Sequence, residues 1–259
     1  MNDKIKIIIA THKKYQMPNS NIYLPVHAGK KGKNNIGYQG DDKGKNISAK
    51  NPYYCELTCL YWAWKNLEAE YIGLAHYRRH FSKKRKSHDK FNNILTEKEA
   101  LKLLEKSDVI LPKKRNYYIE TLYNHYKHTM YIEPLEETRN IIKEQYPEYL
   151  SYFDNLKKRT SAHMFNMFIM KKEILNNYCA WLFDILEKLE KRIDKRQYDS
   201  FHARFFGRIS ELLLDIYLEK NNIKYIETNV IYMEKVNWFT KIASFLKAKF
   251  GGKKYEKSF

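Results

Sequence analysis

The sequence has few cysteines and no long apolar run, and both absences narrow the possible classes of protein. A membrane-spanning helix needs about 18 consecutive apolar residues, and no stretch of the 259 residues approaches that length. The first ten residues lack the small-residue cleavage site of a secretory signal peptide, so we expect none. Three cysteines cannot build a disulfide framework, and the spacing of Cys55 and Cys59 is not that of a zinc ribbon. These features favour a reduced, cytosolic protein with buried thiols.

Common nucleotide-binding and hydrolase motifs are also missing. Neither G-x-G-x-x-G nor G-x-x-x-x-G-K-[ST] occurs, so we expect no hydride cofactor and no P-loop nucleotide site. The absence of H-E-x-x-H and of G-x-S-x-G argues against a zinc peptidase and against a serine hydrolase. The sequence therefore predicts no tightly bound cofactor and no zinc site.

Positive charge is abundant and unevenly distributed. The chain has 48 Lys and Arg against 30 Asp and Glu, a net charge of +18. Residues 76–90 and residues 235–259 each hold seven basic residues and one acidic residue, a net +6 per segment. Such excess favours an anionic partner: nucleic acid, a phosphorylated substrate or an acidic lipid surface. A solvated, lysine-rich surface is the alternative.

Short apolar runs alternate with helical patterns along most of the chain. We predict strands at residues 4–10, 70–75, 108–111, 163–170 and 223–233, and helices at residues 52–67, 101–106, 134–146, 172–192, 198–220 and 236–250. Residues 11–51 are predicted to form a long polar loop. The alternation predicts an α/β fold with a mixed, largely parallel central sheet flanked by helices. Residues 1–234 would form one domain and residues 235–259 a basic amphipathic tail.

Polar residues follow two of the predicted strands, where parallel sheets bind ligands. They are Thr11 and His12 after the first strand, and His76, Tyr77, Arg78 and Arg79 after the second. Paired guanidinium groups suit a diphosphate, although a solvated basic loop would have the same composition. Asp41 and Asp42 lie in a glycine-rich stretch. They are candidates for binding a cation or a sugar hydroxyl, and Asp is equally common in plain turns.

Two later segments combine histidines with aromatic or apolar neighbours. His125 and His128 lie in a Tyr-rich stretch, which fits either carbohydrate stacking or packing. His163 and Asn166 begin an otherwise apolar run, where a buried polar side chain needs a partner. That partner is either an acceptor substrate or a backbone group.

The predicted helix at residues 198–220 carries one polar stripe. Arg204, Arg208, Glu211 and Asp215 are spaced by four, three and four residues, which places them along one face. The stripe is either an internal ladder of ion pairs or the wall of a site. Glu211 is the best candidate for a general base.

The predicted helix at residues 236–250 has apolar residues on one face and lysines beside them. This pattern suits a helix lying on an anionic membrane surface. A helix packed on the domain is the alternative.

Several stretches along nearly the whole chain resemble a bacterial glycosyltransferase family of capsular and exopolysaccharide synthesis, long filed as a domain of unknown function. They are residues 10–15 (ATHKKY), 40–42 (GDD), 51–52 (NP), 55–58 (CELT), 61–66 (YWAWKN), 72–79 (IGLAHYRR), 111–115 (LPKKR), 163–168 (HMFNMF) and 206–211 (FGRISE). The resemblance implies a GT-A-like fold and transfer of a sugar, with galactose or galactofuranose favoured, from a UDP-sugar to a lipid-linked oligosaccharide. The reaction would serve capsular, exopolysaccharide or O-antigen synthesis at the inner face of the cytoplasmic membrane.

The residue patterns and the resemblance together assign roles to the candidate residues. The donor site comprises Thr11, His12, Asp41, Asp42, His76, Tyr77, Arg78 and Arg79; the acceptor or sugar site comprises His125, His128, Asn166 and Arg208; the catalytic residues are Glu211 and His163. The usual GT-A Asp-x-Asp is absent from the strand that ends before His76, so a divalent cation is possible but not expected. We expect Arg78 and Arg79 to supply the charge of the missing cation. The alternative function is a non-enzymatic nucleic-acid-binding protein, although no nucleic-acid-binding signature occurs and no such partner is expected.

Overall fold

The structure is a computed structural model and describes residues 3–234. Its strands are β1 (Asp3–Thr11), β2 (Tyr23–His27), β3 (Gln39–Gly40), β4 (Ala69–His76), β5 (Arg79–Ser82), β6 (Val109–Pro112), β7 (Arg115–Asn116), β8 (Ser161–Ala162), β9 (Phe168–Lys171) and β10 (Ile226–Tyr232). Its helices are α1 (Asn51–Tyr54), α2 (Leu57–Asn66), α3 (Glu97–Leu104), α4 (Leu122–Thr129), α5 (Glu133–Gln145), α6 (Leu150–Asp154), α7 (Lys172–Arg192) and α8 (Phe205–Lys220). The predicted helix at residues 236–250 and the basic tail lie outside the described residues.

Eight strands form one mixed sheet in the order β3-β2-β1-β4-β5-β10-β6-β9. Strands β3, β2, β1 and β4 run parallel. The parallel pairing of β1 with β4 is what the alternation of strands and helices predicts, whereas β2 and β3 lie in the stretch predicted to be a loop. Strand β9 also pairs with β4, so that β4, β5, β10, β6 and β9 close into a small barrel-like ring. Strands β5 and β9 run against their neighbours, which makes this part of the sheet mixed.

Strand β1 is buried on both faces, because its apolar residues serve two cores. Ile5, Ile7 and Ile9 join the smaller core, which includes the buried residues of α3. Ile8 and Ala10 join the larger core, to which α2, α7 and α8 contribute. A continuous apolar run is the pattern expected of a parallel strand that is covered on both sides.

Gly73 lies in the part of β4 that pairs through backbone hydrogen bonds with β1 on one side and with β9 on the other. A Cβ atom at this position would lie 2.9 Å from Ile169 Cγ1 and 2.9 Å from the Phe168 carbonyl oxygen. The missing side chain therefore lets the ring close at β4.

Four predicted boundaries were wrong, and the first two have an identifiable reason. Residues 11–51 contain β2 and β3, and Pro25 inside β2 weakens its strand signal. The predicted helix at residues 52–67 is divided by Cys55, whose φ is 53°. The third and fourth errors of this kind are start points: β9 begins at Phe168 rather than at residue 163, and α8 begins at Phe205 rather than at residue 198.

No helix within residues 3–234 is long and apolar enough to cross a membrane. This observation agrees with the absence of a long apolar run in the sequence.

Candidate active site

The carboxyl ends of β1 and β4 lie side by side and face residues from the first turns of α8. His76 is the last residue of β4 and pairs with Ala10 of β1. His76 Nε2 lies 2.6 Å from the Phe165 carbonyl oxygen, and since a carbonyl accepts, Nε2 carries the proton and donates. Burial lowers the pKa of His76 below its usual range. The imidazole is therefore a neutral group held in one orientation.

Arg79 enters the same region from the first position of β5. Its guanidinium lies over the rings of Phe165 (4.4 Å) and Tyr232 (5.6 Å). Its Nε is buried and has no hydrogen-bond partner within residues 3–234. Burial lowers the pKa of Arg79, and the charges of Glu211 and Glu56 act against that effect. An arginine remains charged at neutral pH, so a partly buried cation with an unused Nε–H donor lies at this site.

Glu211 is the buried carboxyl group of the site, with 6% of its surface exposed. Burial raises its pKa, and the neighbouring charge of Glu56 raises it further. The cations of Arg208 and Arg79 oppose this shift. Arg208 Nη1 lies 3.9 Å from Glu211 Oε1. A carboxyl group with a raised pKa beside cations has the properties of a general base that works near neutral pH.

Asn166 holds Glu56 against α8. Its Nδ2 donates to Glu56 Oε1 (2.6 Å) and to the Gly207 carbonyl oxygen (3.1 Å). Ser210 Oγ donates to Asn166 Oδ1 (2.9 Å). Both ends of the amide are therefore engaged, and Glu56 is fixed beside the first two turns of α8.

Backbone strain is concentrated beside these contacts. Cys55, Phe165 and Asn166 have φ values of 53°, 78° and 52°, in the left-handed region that favours glycine. Such conformations persist where the surrounding structure enforces them, and they are common at functional sites. Here they set the positions of Glu56, of the carbonyl that binds His76, and of the Asn166 amide. We call His76, Arg79, Glu56, Asn166, Arg208 and Glu211 the polar cluster.

An aromatic wall adjoins Arg208. The Tyr117 and His125 rings lie 4.2 Å apart between centroids, and the Arg115 guanidinium lies 4.9 Å from the Tyr117 ring. His125 Nδ1 and His128 Nδ1 contact the two oxygens of Glu120 at 2.6 and 2.8 Å. Burial lowers the pKa of His125, as do the charges of Arg115 and Arg208, while Glu120 raises it. The predicted sugar-binding histidines are thus fixed by one buried carboxylate.

A second group of residues, the tyrosine patch, surrounds Tyr77 and comprises His12, Lys13, Tyr15, Tyr77 and Arg78. The His12 and Tyr15 rings lie 5.3 and 5.1 Å from the Tyr77 ring. Lys13 Nζ and the Arg78 guanidinium lie 5.2 and 5.4 Å from the same ring. Burial and the charges of Lys13 and Arg78 lower the pKa of His12.

Comparisons with known proteins agree with the motifs in the sequence. Residues 6–222 match a family model described as "Domain of unknown function (DUF4422)". This chain belongs to that family. It is also similar to the solved apo structure of WbbM, a bifunctional glycosyltransferase, with 35% sequence identity and a TM-score of 0.82. The match covers 90% of this chain and 46% of the WbbM chain, so this chain spans about half of WbbM. A comparison with curated proteins found no match.

The two predicted donor arginines of this DUF4422 chain have different surroundings. Arg79 belongs to the polar cluster, whereas Arg78 lies at the surface, where its Nη1 is 3.7 Å from Glu234 Oε2. Lys13 Nζ is 3.6 Å from the other oxygen of Glu234. A single carboxylate thus holds two cations of the tyrosine patch.

Other predicted donor residues of the DUF4422 chain make contacts within their own loops. Thr11 Oγ1 donates to the Lys13 carbonyl oxygen (2.7 Å). Asp41 is fully buried and accepts from Gly29 N (2.7 Å), Lys30 N (2.9 Å) and Ser48 Oγ (2.5 Å). Asp42 Oδ1 is buried and has no hydrogen-bond partner within residues 3–234. No group of three or more metal-ligating side chains occurs in that part of the chain, and metal independence stays a prediction.

The predicted catalytic residue His163 lies in the interior with no exposed surface. Its Nδ1 contacts Asp215 of α8, and its Nε2 contacts Glu227 Oε1 of β10 at 2.9 Å. Its backbone N–H also donates to Asp215 Oδ2 (3.1 Å). Both ring nitrogens are occupied by carboxylates, an arrangement that ties α8 to β10. The catalytic role of His163 stays a prediction.

Sequence reasoning missed Glu56 and Tyr117 as site residues. Glu56 falls inside a segment predicted as one helix, and only the break at Cys55 turns it toward α8. It does lie within the CELT stretch that carries the family resemblance. Tyr117 is one of many tyrosines, and nothing in its local sequence separates it from the others.

Proposed function

We propose that this protein is a glycosyltransferase that uses a nucleotide-sugar donor. Its donor is a UDP-sugar, with galactose or galactofuranose favoured, and its acceptor is a lipid-linked oligosaccharide of capsular, exopolysaccharide or O-antigen synthesis. The observation that carries the proposal is the buried Glu211 beside Arg79 and Arg208 at the carboxyl ends of β1 and β4. The similarity to WbbM, a bifunctional glycosyltransferase, supports the reaction class.

The diphosphate of the donor lies between the polar cluster and the tyrosine patch. Arg79 offers a partly buried cation with an unused donor, and Arg78 and His12 flank it from the surface side. Charge builds up on the UDP oxygen as the bond to the sugar breaks, and fixed guanidinium groups stabilise that charge. In this proposal Arg78 and Arg79 do the work that a divalent cation does elsewhere, so transfer survives chelation. Strict dependence on Mn²⁺ would contradict that role and would favour Asp41 and Asp42 as ligands of the cation.

Glu211 acts on the acceptor in an inverting transfer. Its carboxylate takes the proton of the acceptor hydroxyl as that oxygen attacks the anomeric carbon. A new carbon–oxygen bond forms on one side of the sugar while the bond to the UDP oxygen breaks on the other. The proton ends on Glu211 and the negative charge leaves with UDP.

The aromatic wall holds the sugars of the acceptor. Tyr117 and His125 present ring faces next to Arg208, and sugars bind commonly on aromatic faces with polar groups at their edges. His128 and Asn166 fix that wall and the polar cluster through Glu120 and Glu56. We place the reaction at the inner face of the cytoplasmic membrane, to which the seven basic residues within 235–259 attract the chain.

Ligand binding separates this proposal from the nucleic-acid alternative. UDP, UDP-galactose and UDP-galactofuranose should each raise the melting temperature of the protein, because a ligand that binds only the folded state stabilises that state. Retention of bulk RNA and DNA, measured over a range of salt concentrations, should be weak. Strong, salt-sensitive retention without stabilisation by any uridine nucleotide would reject the proposal in favour of the alternative.

A further inference from the structure

A solvent-open groove of about 790 Å³ lies next to the tyrosine patch. Tyr15, Phe91 and Met233 give it apolar surface, and Gln16, His88, Asp89 and Lys90 give it polar surface. The Asp89 carboxylate accepts hydrogen bonds from the backbone and side-chain amides of Asn92. Tyr15 also belongs to the tyrosine patch, with its ring 5.1 Å from Tyr77. The groove therefore continues outward from the proposed donor site.

One side of the groove is formed by the loop between β5 and α3, which is held in a defined shape. Lys83 N donates to the Asn93 carbonyl oxygen (3.0 Å) and closes the base of the loop. Asn93 Nδ2 donates to Ser87 Oγ (2.7 Å) and to the Asp89 carbonyl oxygen (2.8 Å). Lys90 Nζ donates to the Met233 carbonyl oxygen (2.9 Å), which joins this loop to the end of β10.

The same loop presents three consecutive exposed cations. Lys84, Arg85 and Lys86 are exposed, and none of them has an ion-pair partner within residues 3–234. Lys83, by contrast, lies 3.2 Å from Glu99. Lys86 is two residues from His88, which lines the groove. The loop thus combines unpaired positive charge with an apolar depression.

We propose that this groove and Lys84, Arg85 and Lys86 bind the lipid diphosphate of the acceptor. This inference rests on the proposed function and names the acceptor more closely. Guanidinium and ammonium groups pair with the diphosphate, and Tyr15, Phe91 and Met233 cover the first isoprenoid units of the lipid. Because the groove adjoins the tyrosine patch, which adjoins the polar cluster, the acceptor carries only a short glycan between its diphosphate and the reacting hydroxyl.

Binding of farnesyl diphosphate, measured by calorimetry below its micellar concentration, tests the inference. We expect farnesyl diphosphate to bind more tightly than inorganic pyrophosphate or farnesol, because only the whole molecule meets both surfaces. Saturating UDP should leave its affinity unchanged. Displacement by UDP would assign the groove to the nucleotide and overturn the inference. Binding to phosphatidylglycerol vesicles without binding of farnesyl diphosphate would overturn it in favour of a membrane contact.

Charge-matched variants show whether the position of the cations matters. The triple variant Lys84→Ala, Arg85→Ala, Lys86→Ala should weaken farnesyl diphosphate binding about tenfold or more, as expected for the loss of three charge contacts. The control variant Lys143→Ala, Lys158→Ala, Lys191→Ala removes the same charge from exposed positions in the helical part of the chain and should bind normally. Equal loss in both variants would overturn the inference.

The apolar surface is tested separately by Phe91→Ala. This variant should weaken binding of farnesyl diphosphate and leave binding of inorganic pyrophosphate unchanged, and its melting temperature shows whether it is folded. Retained farnesyl diphosphate binding by a chain that transfers no sugar would reject the proposed function and keep this site. Sugar transfer by a chain that does not bind farnesyl diphosphate would keep the proposed function and reject this site.

Discussion

At Glu211, two physical effects act on one carboxyl group in opposite directions. Burial disfavours the charged form and raises its pKa, whereas Arg208 and Arg79 favour the charged form. The net shift is upward. A side chain in this state binds a proton more strongly than an exposed glutamate does, which suits a group that must accept a proton and release it again.

The raised pKa of Glu211 also predicts a pH dependence of stability. A carboxyl group with a higher pKa in the folded state stabilises the fold fully below the pKa of the unfolded chain. That stability is lost as the pH rises through the folded-state pKa. Glu211→Gln removes this dependence, so the variant should melt higher than the wild type at neutral pH and no higher in acid. Melting curves from pH 4 to pH 8 check this, and a variant that is less stable at neutral pH would contradict it.

Arg78 and Arg79 are neighbours in sequence, but their different surroundings predict different effects. The Arg79 guanidinium lies near the rings of Phe165 and Tyr232 in the polar cluster, whereas Arg78 is at the surface beside Glu234. Arg79→Ala should therefore lower the transfer rate more than Arg78→Ala, by about tenfold or more if Arg79 contributes an extra ~1.4 kcal/mol to the stability of the transition state. Steady-state rates at saturating donor compare the two. Equal losses would show that the different surroundings of Arg78 and Arg79 do not matter for transfer.

The role of His163 is tested by measuring both the unfolding free energy and the transfer rate of one variant. His163→Gln leaves Asp215 buried without its imidazole partner, which should cost about 2–3 kcal/mol of unfolding free energy. His128→Gln is the matched control, because its ring is 31% exposed and its partner Glu120 keeps His125. Urea unfolding gives the free energies. Loss of transfer by a folded His163→Gln with unchanged stability would instead favour a catalytic role.

At the scale of secondary-structure elements, the sequence predicts the features that depend on local residue patterns. The apolar run of β1 and the helical pattern of α7 appear in the structure as predicted. The break at Cys55 was not predictable, because no proline or glycine marks it. It is imposed by tertiary contacts, in which Glu56 turns toward Asn166 and α8.

The closure of the barrel-like ring of strands at β4 predicts how a substitution at Gly73 affects stability. Gly73→Ala places a methyl group against the Phe168 carbonyl and Ile169, and it should destabilise the protein by about 1–3 kcal/mol through overpacking. Gly207→Ala on α8 is the control, since its nearest neighbour would be Cys55 Cβ at 3.8 Å and Ala favours a helix. Denaturant midpoints measure both. A Gly73→Ala protein as stable as Gly207→Ala would contradict this account of ring closure.

At the scale of the whole molecule, the site is assembled from segments that are far apart in sequence. Asn166 joins Glu56 and Gly207 across separations of 110 and 41 residues. The sequence identified Arg79, Arg208, Asn166 and Glu211 by residue type and by their position at strand ends or on a helix face. It could not predict their convergence, because that depends on strained turns at Cys55 and Phe165 and on how the sheet closes.

The most direct test of the central claim is mass spectrometry of a lipid-linked acceptor after incubation with a panel of UDP-sugars. The wild type should produce an acceptor that is one hexose heavier with one of these donors. Glu211→Gln should produce it about 100-fold more slowly or less, as expected for loss of a general base. Glu173→Gln, an exposed position at the start of α7, should match the wild type. No extended product with any UDP-sugar, or equal rates for the wild type and Glu211→Gln, would contradict the account.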